Sequence, residues 1–298
     1  MRSSYTSAFL GAASAAALCA TVHATENGGV SYPLGVNTIG AGVMPGPGQT
    51  WLQNYSAFYD ADTFTDSRGH SSVPGFKAEV FVNATRIFHN WNTKIGPFDL
   101  LSGVVVPLYS SRTGSALGHE RNSGIGDIEL QPIYLGYTSP DKTLFSFGGL
   151  EVYVPSRADV SSNYYTIATT LYTTWLPTPR LELSGVVGVE FHTRNNDTKY
   201  RSGTMFIADY GVNYKPFEKQ PGFAVGLGGY LVSQISDDKQ NGETVAGGFR
   251  QKGFAIGPQI SFAGSFGAVG LKWQREFKTE NRPEGDKIWL QWMIPLNL

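Results

Sequence analysis

The chain has 298 residues, of which only 16% are charged, and its net charge of −1 does not favour a nucleic-acid partner. Glycine, phenylalanine and tyrosine are abundant, yet no run of 18 or more apolar residues predicts a transmembrane helix. The single cysteine, Cys19, excludes a disulfide framework and a thiolate metal site.

Residues 1–24 have the pattern of a secretory signal peptide. One arginine precedes an apolar, alanine-rich run, and Val22-His23-Ala24 fits the small-residue rule for cleavage. A transmembrane anchor is the alternative, but the run is short for one. We therefore expect an exported protein that begins near Thr25 and contains no cysteine.

The segment 25–48 is rich in glycine and proline, which disfavours regular structure. It is either a disordered periplasmic tail or a segment tucked into the mouth of the following domain as a plug or gate. Its apolar residues favour the second possibility, since a solvated linker does not need them.

Residues 49–298 alternate with a period of two, which is typical of β-strands that have two different faces. In the last strand every even position is apolar from Ile288 to Leu298, and Leu181 to His192 alternates almost as cleanly. We predict twelve strands, at roughly 49–60, 75–89, 95–110, 124–138, 143–155, 163–176, 180–193, 202–216, 221–236, 249–262, 266–279 and 287–298.

The connections between these strands are alternately long and short. Segments 61–73, 111–123 and 237–250 are long, polar and glycine-rich, whereas "SPDK" and "PTP" are short. A soluble β-sandwich has no reason to sort its loops in this way. An outer-membrane barrel does, because short turns face the periplasm and long loops face outside. The sequence thus predicts an all-β, transmembrane, antiparallel up-and-down barrel in the bacterial outer membrane, in contact with its lipid.

The polar residues of the alternating strands are the candidates for lining the lumen. They are Lys77, Glu79, Asn83, Asp127, Glu129, Gln131, Glu151, Glu182, Glu190, His192, Asp209, Lys272, Gln274 and Glu276. With Lys215 this set holds eight acids and three lysines, which predicts weak cation preference in an open pore. An ion-paired, closed lumen is the alternative.

No catalytic constellation is present in the sequence. The two glycines of "SGIGDIELQPIYLGY" lack the third glycine of a dinucleotide loop, and no G-x-S-x-G motif occurs. "HERNS" lacks the second histidine of a zinc-protease motif. We expect a protein that is not an enzyme and binds no cofactor or metal, although the dispersed catalytic groups of a barrel enzyme would leave no short motif.

Three stretches, "ENGGVSYPLGVNTIGAGVMPGPGQTWLQNYSAFYD", "VVVPLYS" and "GIGDIELQPIYLGY", resemble the outer-membrane β-barrel family named for the meta-pathway of phenol degradation. The most specific mark is G-x-G-D-x-x-L-x-P, matched by Gly124, Gly126, Asp127, Leu130 and Pro132. The resemblance spans the mature chain. It implies a barrel that takes up small aromatic or other hydrophobic compounds, and barrels of this class need the barrel-assembly machinery for insertion.

Three functions are compatible with such a barrel. A twelve-stranded barrel is intermediate between filled small barrels and open porins, which suggests a narrow channel or a ligand-sized lumen. The second function is transport of hydrophobic compounds, with aromatic residues of strands five and nine (Phe145, Phe147, Tyr153, Phe223, Tyr230) either lining the path or facing lipid. The third is a structural or adhesion barrel with a closed lumen.

Overall fold

A computed structural model of the protein describes residues 29–296. The predicted signal peptide and the first residues of the N-terminal segment lie outside this range. Within it, no helix combines the length and the apolar character that crossing a membrane would require.

Apart from the N-terminal segment and the loops, the described chain is β-structure. The strands are β1 (Thr50–Phe64), β2 (Lys77–Ile95), β3 (Phe98–Ser115), β4 (Gly118–Ile125), β5 (Ile128–Thr138), β6 (Leu144–Val154), β7 (Thr166–Thr178), β8 (Leu181–His192), β9 (Tyr200–Arg201), β10 (Met205–Tyr214), β11 (Phe223–Gln234), β12 (Lys239–Gln240), β13 (Glu243–Thr244), β14 (Lys252–Gly264), β15 (Gly267–Glu280) and β16 (Pro283–Leu296).

The main sheet closes on itself, because β1 pairs antiparallel with both β2 and β16. Strands β4 and β5 are two parts of one long strand, and both pair with β3. Counted in this way, the wall is a closed antiparallel barrel of twelve strands, so the predicted fold is confirmed. The short strands β9, β12 and β13 form a separate small sheet in the loops.

We call the end of the barrel with residues 96–97, 139–143, 179–180, 215–222 and 265–266 the turn end, and the opposite end the loop end. Two of the predicted loops are shorter in the structure than expected. Residues 111–123 continue as the hairpin of β3 and β4, and only residues 281–282 connect β15 to β16. In both places the ladder extends past the predicted boundary, which gives the backbone groups partners that a loop would lack.

The outer face of the barrel is apolar over most of its circumference. In β16 the predicted lipid-facing residues Ile288, Leu290 and Ile294 are exposed, whereas Trp289 between them is buried inside the barrel. Strand alternation therefore divides the sequence into an outer apolar face and a lumen face, as a membrane barrel requires.

Candidate ligand site in the lumen

The N-terminal segment lies inside the barrel. We call residues 29–49 the finger. At the turn end the amide of Gly48 donates to the carbonyl of Asn90 at 3.1 Å, and near the loop end the Ser31 hydroxyl lies 2.8 Å from that of Thr166. The finger thus runs along the lumen from the start of β1 towards the loop end, and Tyr32, Leu34 and Val36 are buried.

Carboxylates of the wall accept hydrogen bonds from the finger. Asp209 accepts from the amides of Gly35, at 2.7 Å, and Asn37, at 2.9 Å. The hydroxyl of Tyr32 also donates to Asp209, at 2.9 Å.

Two further acids bind the finger in the same way. Glu190 accepts from the amide of Tyr32 at 2.6 Å, and Glu182 accepts from the amide of Gly40 at 2.8 Å. The finger has no β-ladder of its own, so without these acceptors its buried amides would lack partners.

Donors of the wall bind the carbonyls of the finger. The ammonium of Lys272 donates to Gly35 at 2.8 Å and to Val36 at 2.5 Å. The amide of Gln259 donates to the carbonyl of Thr38 at 3.1 Å. The polar residues of the lumen are therefore complementary to the irregular backbone of the finger, and they hold the finger in the lumen.

A cavity of about 350 Å³ lies beside the part of the finger nearer the loop end of the barrel. Finger residues from Gly29 to Asn37 form one side. The opposite side is mostly aromatic and aliphatic: Tyr55, Val80, Val82, Ala84, Val105, Pro107, Tyr109, Tyr153, Val160, Tyr164, Tyr172 and Trp289.

The polar groups of the cavity are few, and they include Arg86, Asp127, Glu129 and Gln131. Arg86 is only 5% exposed; its Nε donates to Gln131 at 2.9 Å and its Nη1 donates to Gln53 at 3.2 Å. Its Nη2 is buried without a hydrogen-bond partner among the described residues. A buried N–H group of this kind favours a ligand that carries an acceptor.

On the turn-end side of the cavity, four buried aromatic rings and a buried carboxylate pack together in the lumen. We call Phe88, Tyr134, Phe147, Tyr172 and Glu151 the floor. Phe147 stacks on Tyr172 with centroids 4.5 Å apart, and the Arg86 guanidinium lies 3.9 Å from the centroid of Phe88. Glu151 accepts from the hydroxyls of Tyr134 and Tyr172 and is fully buried.

Most of the predicted lumen residues do face the lumen. Glu151, Glu182, Glu190 and Asp209 lie in the floor or against the finger. Lys272 and Gln274 also bind the finger, and His192 lies beside Glu190. Glu276 binds Tyr59, Tyr230 and Arg282. Asp127, Glu129 and Gln131 line the cavity.

Lys77, Glu79 and Asn83 lie on the outer face, contrary to the prediction. Their neighbours Val80 and Val82 line the cavity, and alternation along β2 directs the predicted residues outwards. The prediction was wrong because it assumed that the polar face of β2 is the inner one. In this part of the barrel the lumen is apolar.

The outward amide of Asn83 has partners of its own. It exchanges two hydrogen bonds with Asn54 of β1, and it also donates to Ser56 at 2.8 Å. This satisfied cluster lies between lipid-facing residues such as Phe58 and Phe81, which are about half exposed. Mutual pairing allows these amides to tolerate an apolar surrounding.

The G-x-G-D-x-x-L-x-P motif marks an irregular part of the wall. Gly126 and Asp127 separate β4 from β5, and the amide of Gly126 donates to the carbonyl of Pro107 at 2.9 Å. Asp127 accepts from the hydroxyls of Ser161 and Ser162. Leu130 faces outwards and is 42% exposed.

Pro132 causes a change of face within β5. The pairing of β5 with both neighbours shifts next to Pro132, as expected for a residue that lacks a ladder donor. Beyond this bulge the alternation is reversed. Tyr134, which simple alternation predicts on the lipid side, is therefore fully buried in the lumen.

Several residues of the site were not predicted. Arg86 and Trp289 line the cavity, and Lys287 donates to the finger carbonyl of Leu34 at 3.2 Å. Arg86 shares a face of β2 with Val82 and Ala84, so its sequence context indicates lipid. The fifth and ninth predicted strands correspond to β6 and β11. Of their aromatic residues, Phe147, Tyr153 and Tyr230 are buried in the lumen, and Phe223 stacks on Phe217.

A family model described as "Putative MetA-pathway of phenol degradation" matches residues 61–292. An outer membrane channel from Pseudomonas putida F1 has a similar structure, with a TM-score of 0.75, 15% sequence identity, and coverage of 88% of this chain and 100% of that chain. At this identity the likeness concerns the fold. No curated protein sequence matches the chain.

Two autotransporter domains align with lower scores. The β domain of BrkA from Bordetella has a TM-score of 0.48 and 10% identity, and covers 84% of this chain and 99% of that chain. The transport unit of AIDA-I from Escherichia coli has a TM-score of 0.49 and 9% identity, and covers 84% of this chain and 90% of that chain.

Proposed function

Because the chain belongs to the family described as "Putative MetA-pathway of phenol degradation", we propose that it is an outer-membrane channel for uptake of small aromatic or hydrophobic compounds. In this proposal the loop end faces outside and the turn end faces the periplasm. A cleaved signal peptide of residues 1–24 would export the chain, and the barrel-assembly machinery would insert it.

The observation that carries the proposal is the cavity beside the finger. Its volume of about 350 Å³ suits one small organic molecule. Its wall is built from tyrosines, valines and Trp289, which favour an apolar, flat ligand, and Arg86 offers one N–H group to an acceptor on that ligand.

We propose that the finger is a gate. The floor and the finger together occupy the lumen on the turn side of the cavity, so a bound molecule reaches the periplasm only if one of them moves. The finger is the better candidate, because side-chain hydrogen bonds hold most of it, and its backbone bonds to β2 are at Gly48 and Gln49, next to the start of β1.

A structural barrel with a closed lumen is the alternative function. Asp209, Glu182 and Lys272 form hydrogen bonds with the finger. These bonds favour the alternative, because charged side chains that hold the finger do not line an open path for ions. The same engagement reduces the number of free acids, so the expected weak cation preference would apply only after the finger has moved.

Uptake by cells separates the two functions. A deletion strain would be complemented with the wild type, with Val82→Trp, which fills the cavity, or with Val106→Trp, which lies on the outer face. Whole cells are required because the intact outer membrane is the barrier to be crossed. The readout is the initial uptake of labelled toluene at micromolar concentration.

We expect the wild type and Val106→Trp to restore uptake and Val82→Trp to remain at the level of the empty strain. Heat-modifiable mobility on a gel would verify that each barrel is folded. Equal uptake by the empty strain and the complemented strain would reject the channel and favour the structural barrel.

A further inference from the structure

The outer face carries a row of charged residues at its loop-end edge. Cross-strand pairing places Asp60 opposite Glu79, Glu79 opposite Arg112, and Arg112 opposite Arg121, on the four neighbouring strands β1 to β4. Like charges directly opposite each other destabilise a strand pair, so the two arginines are costly for the hairpin of β3 and β4.

The charges of this row are only partly compensated. Asp60 pairs with Lys77, and Glu79 Oε2 lies 4.0 Å from Arg112 Nη1, at the limit of an ion pair. The side chain of Arg121 has no hydrogen bond or ion pair to any described residue, and it is exposed. The hairpin therefore presents an uncompensated positive charge at the edge of the apolar face.

A groove of about 460 Å³ lies at this position. Arg112 and Arg121 flank the groove. The aromatic side chains of Phe58 and Phe81 form its part nearer the turn end, and the remaining lining includes the hydroxyl residues Ser110, Ser111 and Ser123. The next row towards the turn end contains Leu108 and Ile125, which are also exposed.

We propose that this groove binds a phosphorylated lipid of the outer leaflet. The phosphate lies between the guanidinium groups of Arg112 and Arg121, where charge-assisted hydrogen bonds are strongest, with serine hydroxyls as further donors. The acyl chains lie along Phe58, Phe81 and Leu108. In the outer membrane the lipid with this chemistry is the phosphorylated, acylated disaccharide known as lipid A.

The groove favours a lipid over a soluble phosphate because its charged and apolar parts are contiguous. A free anion would use the arginines alone and would leave Phe58 and Phe81 unused. Among the described residues, Glu79 is the one carboxylate in the lining, and its charge competes with the phosphate for Arg112.

The test is binding of purified, full-length protein in detergent to bis-phosphorylated lipid A, measured by native mass spectrometry. Dephosphorylated lipid A and inorganic phosphate are the comparison ligands. The variants are Arg112→Gln/Arg121→Gln and Glu79→Gln. Arg275→Gln is the matched control, because Arg275 lies on the outer face of β15 but is paired with Asp286 at 2.7 Å.

We expect the double variant to bind lipid A at least 10-fold more weakly, Arg275→Gln to bind like the wild type, and Glu79→Gln to bind more tightly. Dephosphorylated lipid A should bind wild type as weakly as lipid A binds the double variant. Equal binding of lipid A by the double variant would overturn the proposal. So would displacement of lipid A by inorganic phosphate at equal concentration, which would identify a soluble anion as the ligand.

Discussion

The amide of Gly35 in the finger donates to a carboxylate oxygen of Asp209 in β10 at 2.7 Å, and this bond joins the finger to the middle of the wall. Asp209 also accepts from Asn37 and from the hydroxyl of Tyr32. One buried carboxylate thus satisfies three donors of the finger, and its replacement should loosen the finger more than any other single change on β10.

We expect Asp209→Asn to raise the frequency of channel opening in planar bilayers by about 10-fold. An orphaned buried donor costs about 1–3 kcal/mol, and about 1.4 kcal/mol changes an equilibrium tenfold. Asp66→Asn is the control, because Asp66 also accepts two backbone amides, but within the loop between β1 and β2. An unchanged opening frequency in Asp209→Asn would contradict a role of this carboxylate in holding the finger.

The free N–H group of Arg86 should distinguish phenol from toluene, two ligands of similar shape. In Arg86→Met we expect phenol to bind about 10-fold more weakly and toluene to bind nearly as well as before, since only phenol carries an acceptor. Titration of the protein in detergent measures both affinities. Arg180→Met, in the turn end and paired with Glu218, is the control. A parallel loss of both ligands would indicate that Arg86 only supports the floor.

Removing a ring of the floor should widen the lumen. Phe147 stacks on Tyr172 and also lies 5.2 Å from Phe88 between ring centroids. In the Asp209→Asn background we expect Phe147→Ala to increase the single-channel conductance. Phe223→Ala, which alters an outward-facing aromatic side chain, should leave it unchanged. If neither variant differs from its parent, the floor does not limit conduction.

Glu151 should be a major source of stability. Tyr134, Tyr172 and Thr170 donate to the same carboxylate oxygen inside the lumen. Glu151→Leu leaves these hydroxyls without an acceptor, so we expect the free energy of unfolding to fall by about 3 kcal/mol or more. Urea unfolding in lipid vesicles measures this quantity, with Glu218→Leu as the exposed control. A loss as small as that of the control would show that water replaces the carboxylate.

The sequence predicts the barrel, its twelve strands and most of the lumen face because alternation in a membrane barrel is enforced by lipid on one side. The lumen acids Glu190 and Asp209 were predicted from the same alternation. The hydrogen-bond partners of these acids in the finger could not be predicted, because the finger has no periodic pattern and its hydrogen bonds join residues far apart in the sequence. Only the apolar residues of the segment indicated that it is tucked into the barrel.

Two kinds of error have physical causes. Lys77, Glu79 and Asn83 were assigned to the lumen because they are polar, but the lumen beside β2 is an apolar cavity, and Asn83 is satisfied by Asn54 on the outer face. Tyr134 changes face because the bulge at Pro132 shifts the register. Alternation along a single strand predicts neither which residues fill the lumen nor where the register of the strand changes.

A disulfide between the finger and the wall tests most directly whether the finger moves to open the channel. A Cβ added at Gly228 would lie 2.9 Å from the Cβ of Thr38, close to the roughly 3.8 Å of a disulfide, and 2.3 Å from Oε1 of Gln259. Because Oε1 is the end of a flexible side chain, Thr38→Cys/Gly228→Cys is a suitable pair once the Gln259 side chain rotates away. The predicted mature chain has no other cysteine. Each single variant, treated with the same oxidant, is the control.

The measurement is the uptake of labelled toluene by cells that carry the double variant, first oxidised and then reduced. Mass spectrometry would verify that the disulfide forms. We expect uptake to fall to the level of the empty strain on oxidation and to return on reduction. Uptake at the wild-type rate by the fully oxidised protein would contradict a gate formed by the finger.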